Sequence, residues 1–78
     1  MKFVYTVHWR LKKQYRREDI SDGIIEYAIQ HSKIIKDRRW DDVYNAIYRI
    51  PHNGRILKIA YKFEGIQTIK IITAYWLD

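Results

Sequence analysis

His8, Lys12 and Arg16 stand four residues apart in "VHWRLKKQYRR", the spacing that places side chains on one stripe of a helix. His8 is the natural general base or acid of the chain, because an imidazole titrates near neutrality. The cations at Lys12, Arg16 and Arg17 could hold a phosphate and stabilise charge that builds on it. If His8 instead ends a strand, it is a capping histidine and the cations form a solvated face. Tyr75 could supply a second acid or a stacking ring, or simply pack in a hairpin with its fellow tyrosines. The other histidines offer less: His31 falls at an expected helix C-terminus, where a cation suits the dipole, and His52 falls in a turn. No His, Asp or Glu cluster has metal-ligand spacing. Three glycines make no phosphate-cradling loop. Ser21 and Ser32 sit at helix ends, so a serine triad is not expected. No cofactor or metal is implied.

The elements that must position these residues are legible from periodicity. "KFVYTVHWRL" alternates, with Phe3, Tyr5, Val7, Trp9 and Leu11 on one side and Lys2, Val4, Thr6, His8 and Arg10 on the other. This is a strand signal. Val7, Leu11 and Tyr15, spaced by four, give a helix signal that overlaps it. We place a strand over residues 2–8 and a basic helix over 9–18. Ser21 is a good N-cap, Asp22 and Glu26 suit a helix start, and Ile24, Ile25, Ala28 and Ile29 form an apolar stripe. The second helix is predicted over 22–31. A short extended piece at 33–36 and a polar loop at 37–42 follow, with the apolar ring of Trp40 in that loop either anchoring it or touching a partner. "VYNAIYRI" reads as a strand ended by Pro51, and Asn53-Gly54 suits a tight turn.

The closing stretch "RILKIAYKFEGIQTIKIITAYW" reads as two strands on a two-residue turn, Glu64-Gly65. In the first, Leu57, Ile59, Tyr61 and Phe63 oppose Ile56, Lys58, Ala60 and Lys62. In the second, strict alternation sets Ile69, Ile71, Thr73 and Tyr75 against Lys70, Ile72, Ala74 and Trp76. One face is apolar and suited to helices. The other interleaves Lys58, Lys62 and Lys70 with Ile72 and Trp76, which suits either a nucleic acid with bases stacked nearby or a sheet face protected from edge pairing by its lysines. The expected fold is α+β: two helices on one face of a small antiparallel sheet of about four strands.

Seventy-eight residues make one domain, 1–78, in which only roughly 60% of the unfolded surface is buried. The chain has no cysteine, which removes disulfides and thiolate metal sites and fits a cytoplasmic protein. No apolar run is long enough to cross a bilayer, and no signal-peptide pattern is present. The net charge of +6 is uneven. Residues 1–17 hold Lys2, Arg10, Lys12, Lys13, Arg16 and Arg17 with no acid, whereas residues 18–32 hold Glu18, Asp19, Asp22 and Glu26 with no Lys or Arg. Such a domain meets nucleic acid, an acidic protein or an anionic surface, or uses its charge for solubility.

"TVHWRLKKQYRREDIS" resembles the Thr-x-His, basic helix, Arg-x-x-x-Ile-Ser opening of a small domain family related to the BrnT and RelE toxins. "IIEYAIQHSKII" is similar to the family's second helix and the segment after it, and "GRILKIAYKF" with "IKIITAY" to its closing hairpin. The likeness spans nearly the whole chain, with Trp9 standing where a small residue is common. It implies two helices against an antiparallel sheet and the toxin half of a toxin–antitoxin pair. RelE-type toxins cut RNA without a metal, many of them on the ribosome; BrnT-like relatives lack the residues best known in that chemistry. Metal-free cleavage needs a base for the 2′-hydroxyl proton, cations for the crowded phosphorane and an acid for the leaving 5′-oxygen.

On this reading His8, Arg16 and Tyr75 are the candidates for chemistry. Lys12, Lys13, Arg17, Lys58, Lys62 and Lys70 are the candidates for gripping nucleic acid. The expected partners are RNA, free or ribosome-bound, and a cognate acidic antitoxin, with no membrane. Two other readings fit the same residues: a non-catalytic nucleic-acid-binding module, and a structural domain that works through protein contacts alone, as a homodimer through its sheet edge.

Overall fold

Thr6 and Ser21 set the architecture by starting the two helices. Each lies in extended backbone, and each side-chain oxygen accepts an N–H three residues on: Trp9 for Thr6 at 3.0 Å, Ile24 for Ser21 at 3.2 Å. Both thus satisfy one of the orphan donors of a helix start. The structure is a computed structural model that describes residues 1–17 and 19–78, the side chain of Arg16 excepted. In chain order the described residues form β1 (Lys2–Tyr5), α1 (Val7–Arg16), α2 (Asp22–His31), β2 (Ile35–Lys36), β3 (Tyr44–Arg49), β4 (Ile56–Phe63) and β5 (Thr68–Trp76).

The strands make one five-stranded sheet in the order β1-β5-β4-β3-β2. The protein is α+β, with two helices against a mostly antiparallel sheet. Three details are corrected in a sheet that otherwise matches the expected small one of about four strands, its fifth being the short piece at 35–36 paired with β3. It is not wholly antiparallel, since β1 runs parallel to β5, with Lys2 opposite Thr68 and Tyr5 opposite Ile71. The first strand stops at Tyr5, because the Thr6 cap begins the helix there and takes His8 into its first turn. The β4–β5 connection is also longer than two residues: Glu64 to Gln67 link the strands, the Glu64 N–H bonds the Thr68 carbonyl at 2.8 Å, and Gly65 supplies a φ of 76°.

Trp9, Ile20, Ile25 and Ala28 from the helical side meet Ala46, Leu57, Ile59, Tyr61, Ile69, Ile71 and Ala74 of the sheet in one buried core. An ion-pair layer closes the helical side. Arg10 and Lys13 both reach Asp22, at 3.3 and 3.4 Å, and the Tyr5 hydroxyl donates to Glu26 at 2.6 Å. Burial, reinforced by that bond, pushes the Tyr5 phenol well above its ordinary pKa. No helix among the described residues is long and apolar enough to cross a membrane.

The alternation of β5 is broken. Leu57 pairs with Trp76, Lys58 with Tyr75, Ile59 with Ala74 and Ala60 with Thr73, yet Tyr61 pairs with Ile71. Ile72 is therefore the extra residue of a β-bulge, and beyond it every side chain changes face. Trp76 turns to the helical side, where it packs on the core and its indole N–H reaches Asp19 at 2.9 Å. Tyr75 turns to the open side. The expectation that Trp76 joins the lysines and Tyr75 faces away from them is thus reversed, and one inserted residue is the cause.

Candidate functional site

The bulge has a fixed anchor. The Thr6 N–H bonds the Ile71 carbonyl at 3.1 Å, and the Thr6 hydroxyl, already the cap of α1, donates to the Ile72 carbonyl at 3.2 Å. β1 ends opposite Ile71, so α1 takes over beside the remaining half of β5. Its C-cap residue, Arg17, then reaches across the strand. The Arg17 guanidinium contacts Thr73 Oγ1 at 3.4 Å and lies 5.7 Å from the centre of the Tyr75 ring. From the other side, the Lys58 ammonium lies 6.0 Å from the same ring. Tyr75 is held between two cations on the face that the helices leave bare, close enough for each to feel the ring's negative face.

A cleft of about 600 Å³ opens beside this group, lined by Lys58, Thr73 and Tyr75 on the sheet and by Asp37, Arg38, Arg39 and Trp40 from the loop after β2. Asp37 builds that loop. One of its carboxylate oxygens accepts the Arg39 N–H at 2.8 Å and the Trp40 N–H at 3.2 Å, and the other accepts Asn45 Nδ2 at 3.1 Å. These bonds, the Arg39 N–H foremost and then the Asn45 amide, hold the Asp37 carboxyl below its usual pKa. The Asp37 N–H in turn bonds the Val43 carbonyl at 2.9 Å, and the Val43 N–H bonds the Trp40 carbonyl at 3.3 Å.

The structure gathers some of the expected residues and separates others. Arg17, Lys58 and Tyr75 come together. Lys62 and Lys70 face each other across β4 and β5 on the same open side, with Lys70 paired to Glu64 at 3.2 Å. Lys62 follows Lys58 by four residues, about 13 Å along the strand. Lys13 is drawn to Asp22 between the helices. His8 and Lys12 lie together on the outer surface of α1, in a shallow depression shared with Leu11 and Tyr15. His8 stands at the end of α1 opposite Arg17, about 13 Å away along the axis at the usual helical rise. The Arg16 side chain lies outside the described residues. Asp37, Arg38, Arg39 and Thr73 belong to the cleft without having been singled out as site residues, and Trp40, noted in the sequence as either a loop anchor or a partner contact, lines it too. The available signal was the Asp37-Arg38-Arg39 run, since an aspartate readily accepts the N–H two residues on.

The arrangement can hold an anion against Arg17 and Lys58, offer it the Tyr75 hydroxyl as a hydrogen-bond donor, and present a flat ring beside it. Among the described residues no group of three or more His, Cys, Asp or Glu side chains is placed to hold a metal ion. Comparison of the chain with protein-family models, with curated proteins and with solved structures gives no match.

Proposed function

We propose that this protein is a cytoplasmic toxin of the RelE/BrnT kind: a small basic domain that binds RNA on its open sheet face, cleaves it there, and is neutralised by an acidic antitoxin. The observation that carries this reading is the placement of Tyr75 between Arg17 and Lys58 on a sheet face free of helices. Cations on both sides of Tyr75 suit the phosphate that becomes a phosphorane when the neighbouring 2′-hydroxyl attacks it. In that step the 2′-hydroxyl oxygen bonds to phosphorus and gives its proton to water, the P–O5′ bond breaks, and a proton must pass to the departing 5′-oxygen. Tyr75 is the proton donor that stands between the cations. Lys62 and Lys70, opposite each other about 13 Å along the strands, extend the positive face to one side of the break, where a longer strand is gripped. The basic surface favours an acidic partner through steering and complementary contacts.

The position of His8 favours a second reading. It is the residue best suited to take a proton at neutral pH, and it sits at the far end of α1 from Arg17, so the same face also fits a module that grips nucleic acid without cutting it. End-labelled RNA, incubated with and without ribosomes, separates the two. The toxin reading expects cleavage that Lys58→Ala or Arg17→Ala reduces by about 10²–10³-fold, the usual loss of an oxyanion-stabilising group, and that His8→Ala leaves nearly intact. A wild-type protein that binds RNA but never cuts it, on or off the ribosome, would hand the function to the binding module.

A further inference from the structure

We propose that Trp40 is a stacking platform for one unpaired base of single-stranded RNA, set beside the Arg17–Lys58–Tyr75 group so that the adjoining phosphate meets those cations. The inference rests on the nucleic-acid reading above and names the part of the substrate that the cleft selects.

Trp40 is 64% exposed. The other two tryptophans serve the fold: Trp9 is wholly buried, and Trp76 lies under the Arg55 guanidinium at 4.4 Å with its N–H on Asp19. Trp40 leaves most of a large apolar ring in water, where it contributes little to folding. Yet its backbone is held at both ends, by Asp37 on the N–H and by Val43 on the carbonyl. An exposed ring on a backbone that is already held has less freedom to lose when something stacks on it than one on a free loop.

What stacks there is indicated by its surroundings. Trp40 lines the same cleft as Arg38, Arg39, Lys58 and Tyr75. A flat π-face flanked by cations is the combination that binds single strands, with the ring taking a base and the cations taking phosphates. A duplex hides its base faces in its own stack and cannot use such a ring. Stacking also tolerates any base, because each has a π-face, so the platform selects strand state rather than sequence.

Wild type, Trp40→Ala and Trp40→Phe are each titrated with a single-stranded RNA, with the same sequence as a duplex, and with inorganic polyphosphate as a polyanion without bases. Trp40→Ala is expected to weaken single-strand binding about 5- to 100-fold, the range that one stacked base supplies. Its polyphosphate affinity and salt dependence should match wild type. Trp40→Phe should retain most of the affinity. RNA should quench tryptophan emission in wild type and lose that effect in Trp40→Phe, whose remaining indoles are the ones that serve the fold. If Trp40→Ala binds the single strand as tightly as wild type, the platform is overturned while the RNA reading stands. The platform is overturned equally if Trp40→Ala keeps its RNA affinity and loses an acidic protein partner, for Trp40 is then a protein contact. If wild type binds neither RNA nor polyphosphate at low salt, the RNA reading falls and the platform with it.

Discussion

The Thr6 hydroxyl accepts the Trp9 N–H and donates to the Ile72 carbonyl, so it caps α1 and ties down the bulge that aims Tyr75. Thr6→Val keeps the shape and removes both bonds. It should destabilise the domain by about 1–2 kcal/mol, the usual loss for a helix cap or a buried hydrogen bond, whereas Thr6→Ser should stay close to wild type in urea unfolding. A loss of RNA affinity in Thr6→Val beyond the unfolded fraction would show that the anchor also aims Tyr75. Tyr75→Phe removes only the hydroxyl. On the toxin reading it should slow cleavage by about 10²-fold or more, the usual share of a positioned acid, with RNA affinity almost unchanged; equal loss of both would make the hydroxyl a binding group. The face of Tyr75 could not be read from alternation, because a bulge adds a residue without changing the residue types around it. The adjacent Ile71 and Ile72 were the local sign of it, and two β-branched residues side by side are common enough in strands to pass as ordinary pattern. Lys58, on the regular strand opposite, was placed correctly by the same rule.

At the scale of elements, α2 was the most legible, since Ser21, Asp22 and the Ile24–Ile25–Ala28–Ile29 stripe all point to one helix, found over Asp22–His31. The start of α1 was hidden because Phe3 to Leu11 satisfy a period of two and Val7, Leu11 and Tyr15 a period of four; the side-chain bond of Thr6, not the periodicity, decided between them. The loop after β2 depends on Asp37 in a similar way. Asp37→Ala should leave far-UV circular dichroism near wild type while reducing single-strand affinity as Trp40→Ala does, because it releases the ring without removing it. The loop also has a pH signature. The folded-state pKa of Asp37 is lowered, so its contribution is fully present above the unfolded value of about 3.9 and is lost as pH falls through the lower folded value. Trp40 emission, taken as wild type minus Trp40→Phe, should hold steady from neutral pH down to about pH 5 and shift only in stronger acid. A transition near neutrality would mean that some group other than Asp37 holds the loop.

For the whole molecule, the charge runs visible in the sequence do not map directly onto one surface. The acid-free N-terminal segment is divided by the fold: Arg10 and Lys13 turn to Asp22, Lys12 faces outward from α1, and Arg17 alone among the described side chains of α1 and its cap reaches Thr73 and Tyr75. The salt dependence of RNA binding reads out this division. Each cation removed from a phosphate contact should lower the slope of log affinity against log salt by about 0.7. Joint replacement of Arg17, Lys58 and Lys62 should therefore flatten it far more than replacement of Lys12 and Lys13. Equal effects would place the nucleic acid on α1 instead. The parallel pairing of β1 with β5 has a consequence of another kind. Thr6 and Ile72 are 66 positions apart, and β1 has no other neighbour among the described strands of the sheet. Contacts of such high contact order form late, and domains rich in them fold in milliseconds to seconds rather than microseconds. On a ribosome the delay is longer, since β1 must wait unpaired until β5 has been synthesised. The cleft waits too, because Thr73 and Tyr75 lie on β5. A nascent chain therefore carries no assembled cleft until β5 has been translated and has paired with β4.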